Sequence, residues 1–271
     1  MPIASARTST QLYIESDMAS PELLALSNAK VATLCRRCPD KVEPNDDSAG
    51  VIQIQSGATV LVVADGVGGC PLGYKASAVA VQCVIDAIEL SPEGQDLRPA
   101  ILDAIEQANT EILDLGVGAA TTLSVIEIHE DFARAYQVGD SMSVVIGQRG
   151  ALKWRSTPHS PVGYAVESGM IDESEAMLHD ERHIVSNLVG SRSMHIEIGP
   201  RTRLAARDTV ILGSDGLFDN LQLEEIIAMG QSGPILERME QLASLATQRM
   251  AHGDDAVPGK PDDLTVLLFT R

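Results

Sequence analysis

Short runs of Val, Ile and Leu alternate along this chain with longer amphipathic stretches. The apolar runs "GVIQIQ", "TVLVVAD", "ATTLSVIEIHE", "FARAYQVGD" and "MSVVIGQRG" predict strands. Two stretches, "ASAVAVQCVIDAIEL" and "LRPAILDAIEQANTEILDL", repeat their apolar residues at helical spacing and predict helices. Further on, "DTVILG" and "LTVLLFTR" read as strands, with "EEIIAMG" and "PILERMEQLASLATQRMAHG" as helices between them. The strands come in short-turn pairs around the helices, which predicts antiparallel hairpins rather than a series of parallel crossovers. Because strands lie at both ends of the chain, those ends must share a sheet if the core is to close.

Two regions depart from this pattern. Residues 1–22 are small, polar and unpatterned, and are expected to form a mobile arm ahead of one domain spanning 23–271. Residues from about 155 to 195 hold short helical pieces, many charges and four histidines, an irregular insertion over one end of a sheet. Composition narrows the function. With 271 residues, 44% of them hydrophobic, the chain can bury one substantial core. A net charge of -18 argues against nucleic acid or an anionic membrane surface as a partner. No apolar run approaches the roughly 20 residues needed to span a bilayer, and a cytoplasmic protein is expected. Cys35 and Cys38 have the spacing of half a zinc site, but a second pair is missing, and free thiols are expected.

The chemistry lies where apolar strands end. Asp65 follows "VLVVA", Asp140 follows "AYQVG", Asp215 follows "VILGS", Asp262 and Asp263 precede "LTVLLF", and Asp46 and Asp47 precede "SAGVIQIQ". Any one of these reads as a turn former. Together, at one rim of a sheet, they would repel one another unless cations or protons offset the charge. An all-carboxylate set without paired His or Cys points to hard ions, Mg²⁺ or Mn²⁺. Gly66 would let a backbone carbonyl approach such an ion, and Gly68 and Gly69 would relieve Cβ clashes in the turn. A phosphate-cradling loop fits "DGVGG" less well, because the Lys-Ser end of a P-loop and the dinucleotide spacing are both absent. Ser141 and Ser214 lie outside any nucleophile elbow and are read as structural.

In order along the chain stand "NDDS", "ADGVGG", "GAATTLSV", "VGDS", "SDGLFD" and "DDLTVLLF". With these six segments the chain resembles the metal-dependent serine/threonine protein phosphatases of type 2C, from about residue 28 to 271. The resemblance implies an α+β fold, a four-layer αββα sandwich of two mostly antiparallel sheets flanked by helices. It implies that Asp47, Asp65, Asp215 and Asp262 hold a binuclear Mg²⁺ or Mn²⁺ centre, with the Gly66 carbonyl as a further ligand and Asp46 and Asp263 around them. Asp140 and Asp219 match positions that hold a third ion together with Asp215 in some family members. The implied activity is hydrolysis of phosphoserine and phosphothreonine in proteins by a metal-activated water, reversing a bacterial Ser/Thr kinase. Its partners would be phosphorylated proteins, the kinase or its targets.

Departures from the pattern bear on substrate binding. Many members carry an arginine shortly before the first acidic motif, where a fork of donors could grip phosphate. Here Lys41 stands near that place, with Arg36 and Arg37 further upstream, and Lys41 is the candidate phosphate ligand. Val67 replaces the histidine of many eukaryotic members, as in bacterial ones. The insertion at 155–195 matches the family's flap. The leaving alkoxide needs a proton, and His159, His179, His183 and His195 are candidates that read first as structural or surface groups. Two alternatives stay open: a non-catalytic domain of this fold that binds phosphoproteins or regulates a kinase, and a phosphatase of small phosphorylated metabolites.

Overall fold

The computed structural model describes residues 9–253 and 259–271. In chain order the strands and helices are β1 (Ser9–Ile14), β2 (Glu22–Ala25), β3 (Lys30–Arg36), β4 (Asp47–Gln53), β5 (Thr59–Asp65), α1 (Gly73–Glu89), α2 (Arg98–Asp114), β6 (Leu123–His129), β7 (Phe132–Val138), β8 (Met142–Ile146) and β9 (Leu152–Arg155). There follow α3 (Pro161–Glu167), α4 (Glu173–Met177), β10 (Glu197–Ile198), β11 (Thr202–Arg203), β12 (Thr209–Gly213), α5 (Asp215–Phe218), α6 (Leu223–Gly230), α7 (Ile235–Ala251) and β13 (Leu264–Thr270). One sheet runs β1-β4-β5-β6-β7-β10, with β11 also on β7, and the other runs β2-β3-β13-β12-β8-β9. Every named strand pair is antiparallel.

The continuous apolar runs follow from burial on both faces. Along β5, Val60 and Val62 pack with Val81, Ile85 and Ile101 of α1 and α2, whereas Leu61 and Val63 pack between the sheets with Val210, Leu212 and Leu267. In the second sheet Ile211, Val266 and Leu268 face Met239, Leu242 and Ala246 of α7. Each central strand therefore needs an apolar side chain at every position, and the four layers are helix, sheet, sheet, helix. This is the sandwich expected from the sequence, and the first and last thirds of the chain share sheets as core closure requires.

The expected arm at residues 1–22 needs correction. Ser9–Ile14 forms an edge strand paired with β4 from Ser9↔Gln53 to Ile14↔Ser48, Tyr13 is buried at 5% exposure, and β2 begins at Glu22. Alternation in "STQLYI" supplies one inward face, and the edge of β4 supplies the hydrogen bonds. Residues 1–8 lie outside the described residues. β3 is likewise a buried strand that the pattern left unread; it joins β2 to β13.

His159 fastens the flap to the sandwich. It is fully buried, and its Nδ1 accepts from the Gly139 N–H at 3.1 Å and from Asn187 Nδ2 at 2.8 Å. Nε2 therefore carries the proton and donates to Glu197 at 3.1 Å. Burial holds the imidazole pKa below its usual value, with Glu197 opposing only in part. A neutral buried imidazole that gains a proton when unfolded contributes stability above about pH 6.5, and that stability is lost as pH falls. His159→Gln should destabilise the chain by about 1–3 kcal/mol near neutrality. The difference from wild type, measured by urea unfolding, should narrow as the pH is lowered toward about 5.5.

Candidate metal centre

Antiparallel pairing puts Asp47, at the start of β4, directly opposite Asp65, at the end of β5. Asp65 is anchored through its backbone: Thr122 N–H donates to its carbonyl at 2.8 Å, and its own N–H donates to Thr122 Oγ1 at 3.1 Å. From the second sheet, Asp215 opens α5 directly after β12, and Asp262 and Asp263 stand just before β13. Since β12 and β13 are paired, with Gly213 opposite Val266, those carboxylates reach the same rim. Asp140 arrives there on the β7–β8 turn, where Gly139 takes a φ of 99°. The strand-end carboxylates of both sheets are thus gathered at one place.

Two glycines permit the close approach. A Cβ on Gly66 would lie 2.3 Å from the Gly73 carbonyl oxygen and 2.8 Å from that of Asp46; on Gly216 it would lie 1.9 Å from the Asp263 carbonyl oxygen. Gly69 needs its φ of 82°, but a Cβ on Gly68 would meet nothing within 4 Å. The clash relief expected at Gly68 and Gly69 is absent: a Cβ at either would meet nothing within 4 Å, Gly69 is called for by its φ instead, and the close approach falls at Gly66.

Electrostatics dominate the rim. Asp47, Asp65 and Asp140 all have carboxyl pKa values pushed well above the usual range, first by burial and then by neighbouring carboxylates. For Asp65 those neighbours are Asp215, Asp47, Asp262 and Asp140. Asp262 is pushed up to about 7 by burial and then by Asp215, with Lys260 opposing. Asp219 is pushed up to about 6 by burial, again against Lys260. Two buried carboxylate oxygens, Asp47 Oδ1 and Asp215 Oδ1, have no hydrogen-bond partner. A buried acceptor without a partner costs about 1–3 kcal/mol, and more when charged. Among the described residues no three acidic, His or Cys side chains are drawn close enough to hold an ion as they stand. The donors are oxygens only, two of them buried and without a partner, and such a set fits a hard divalent cation.

The surrounding contacts are specific. Ser214 Oγ donates to Asp47 Oδ2 at 2.7 Å and accepts from the Thr265 N–H at 3.1 Å. Asp263 accepts from the Cys38 N–H at 2.7 Å and the Asp46 N–H at 2.6 Å. Lys41 Nζ lies between Asp46, at 2.7 Å, and Asp263, at 2.5 Å. Burial opposes its charge, but the bonds to Asp263 and Asp46 outweigh this and raise its pKa. Lys41 is therefore a strut binding the two acidic motifs together; a phosphate would have to take it from both carboxylates.

Lys260 is the residue that the motif reading missed. Its ammonium binds Asp215, Asp219 at 2.8 Å and Asp262 at 3.5 Å. Burial opposes its charge, but Asp215, Asp219 and Asp262 raise its pKa. The signal available in the sequence was a lone basic residue inside "GKPDDLTV", two positions ahead of an expected ligand. Beside the carboxylates a cleft of about 490 Å³ opens between the flap and α5 and α6, with Asp140, Asp215 and Asp219 in its wall together with Val162, Val166, Met177 and Leu223. His179 and His183 lie on the exposed flap surface or near it, and His195 stacks on His159 at 5.2 Å. Ser141 is buried and shares a hydrogen bond with Thr122. The four cysteines are free thiols.

The chain has relatives over most of its length. The family model for protein phosphatase 2C matches residues 36–253. A Streptococcus pyogenes protein named putative protein phosphatase 2C-type is 28% identical over 237 residues, 83% of this chain and 90% of that protein. The solved Streptococcus agalactiae serine/threonine phosphatase shares the fold with a TM-score of 0.75 at 24% identity, over 89% of this chain and 99% of that one. The catalytic domain of the serine threonine protein phosphatase PstP, solved in complex with 2 manganese ions, gives 0.72 at 24% identity over 89% and 97%. With a family match over most of its length and the family's layered fold, the chain belongs to the protein phosphatase 2C family and is a protein phosphatase of that type.

Proposed function

We propose that this chain hydrolyses phosphoserine and phosphothreonine in proteins at a centre of two divalent ions, Mg²⁺ or Mn²⁺. The observation that carries the reading is the pair of buried, unpartnered oxygens on Asp47 and Asp215, set among Asp65 and Asp262. Asp47, Asp65, Asp215 and Asp262, with the Gly66 carbonyl, would hold the ions. Once bound, the ions supply an ionised water at neutral pH and offset the charge of the phosphoryl oxygens. The protein's own part is orientation. Ser214 fixes the rotamer of Asp47, and Asp263, clamped by two backbone donors and Lys41, fixes the course of Asp46. Such outer partners shape ligand geometry in metal sites. The apolar cleft beside the carboxylates would receive the substrate residues flanking the phosphorylated one. The substrate would be a cytoplasmic phosphoprotein, a Ser/Thr kinase or one of its targets.

Phosphate release from a phosphothreonine peptide with Mn²⁺ tests the reading. Activity should vanish with EDTA and fall at least about 100-fold in Asp65→Asn, more than the loss typical of an outer partner. Activity indifferent to both would refute it.

The raised carboxyl pKa values add a pH dependence. Carboxyls raised in the folded state stabilise the metal-free chain at low pH, and that contribution is lost as pH climbs through about 6 for Asp219 and about 7 for Asp262. Bound cations compensate the exposed charge, and their ligands must be deprotonated. The rise in Tm given by saturating Mn²⁺ should therefore be larger near pH 8 than near pH 5.5, by calorimetry at matched ionic strength. Equal rises would show that these carboxylates do not take up the metal.

If the cleft reads the substrate chain, Val166→Glu should raise KM for phosphopeptides several-fold and leave KM for a small aryl phosphate unchanged. An equal change for both substrates would remove the cleft from substrate recognition.

A further inference from the structure

Lys260 is presented to the acidic rim by a rigid frame. Its N–H donates to Asn220 Oδ1 at 2.9 Å, and Asn220 Nδ2 donates back to the Lys260 carbonyl at 2.9 Å. The same amide group reaches the Gly216 carbonyl at 3.0 Å, and Asn220 is fully buried. The Asp219 N–H closes onto the Asp215 carbonyl at 2.7 Å. One hydrogen-bonded unit therefore carries the lysine and two of the three carboxylates it binds, Asp215 and Asp219. Ahead of it, a Cβ on Gly259 would lie 1.8 Å from the Arg249 carbonyl oxygen, which restricts this position to glycine.

The way the two oxygens of Asp215 are used decides what Lys260 can be. The ammonium takes Oδ2 of Asp215 and Oδ2 of Asp219, while Asp215 Oδ1 stays buried and without a partner. A lysine and a divalent ion can share Asp215 from opposite oxygens. An ion that needed Asp215 Oδ2 and Asp219 would meet the ammonium on the same lone pairs, and two cations at such separation repel strongly in a buried site. Resting on the two-ion reading above, we propose that Lys260 takes the place of the third cation, so that this phosphatase works with two metal ions and a fixed ammonium between Asp215 and Asp219. Asp140 and Asp219 then serve as charge partners of the rim and not as ligands.

Counting bound Mn²⁺ tests this independently of activity. Equilibrium dialysis with elemental analysis, at Mn²⁺ up to millimolar levels, should give two ions per chain for wild type and for Lys260→Arg. Lys260→Met should take up a third ion, and Asp219→Asn added to Lys260→Met should return the count to two. Three ions in wild type would overturn the role of Lys260 while leaving the binuclear reading intact. Two ions in Lys260→Met, even with tighter binding of the first pair, would also overturn it, since the lysine would then be competing with the central ions. No binding by wild type would refute the underlying two-ion reading. Should Lys260→Met fail to fold, Asp219→Asn alone decides: it should still bind two, and loss of an ion would make Asp219 a ligand and overturn the proposal.

Discussion

The mutual repulsion of carboxylates brought together in a buried rim is the constraint on which this molecule turns. Asp47, Asp65, Asp140, Asp215, Asp219 and Asp262 converge at a partly buried rim, where burial and neighbouring carboxylates make Asp47, Asp65, Asp140 and Asp262 harder to ionise. Such an arrangement is stable only if cations or protons offset the charge. In this chain two lysines supply part of that offset from opposite sides, Lys41 beneath Asp46 and Asp263, Lys260 between Asp215 and Asp219. What remains unbalanced lies on the central carboxylates, and there the unpartnered oxygens are found.

The sandwich exists to deliver that geometry. No single element could carry so many acids, because adjacent like charges on one strand or helix would oppose its formation. Distributing them over the ends of β4, β5, β7, β12 and β13 lets the apolar layers on both faces stabilise each strand, while the acid stands at its end or a residue or two beyond it. Gly66 and Gly216 then allow backbones to meet at distances that a side chain would forbid.

Strands with both faces covered announced themselves as unbroken apolar runs, and the position of Asp65 or Asp215 at the end of such a run was visible without coordinates. The hairpin order made the antiparallel pairing visible too, whereas the four-layer sandwich was implied by the family resemblance. The edge strand β1 escaped because its polar residues face solvent and its pairing is owed to β4, thirty-odd residues away. The partners of Lys41 were hidden for a related reason: proximity in sequence to an acidic motif says nothing of Asp263, which reaches it from the other end of the chain. Lys260 carries no signal of its own in the one-dimensional pattern, since its meaning depends on Asn220 fixing its backbone forty residues upstream. Long-range pairing is where local pattern ceases to inform.

Ser214 has a mechanical consequence beyond orienting a ligand. Its hydroxyl is bonded at once to Asp47 on the first sheet and to the backbone of Thr265 on the second. Apart from the buried Ser124–Ser143 and Thr122–Ser141 hydroxyl pairs, the two sheets meet mainly through apolar side chains, which resist separation but have little to say about sliding. A stitch of two directional bonds at the rim sets the registry of one sheet against the other. The site is therefore a gauge of the sandwich's alignment: an intersheet slip of a fraction of an ångström, caused by a distant core substitution, would be transmitted to the carboxylates before it disturbed any strand.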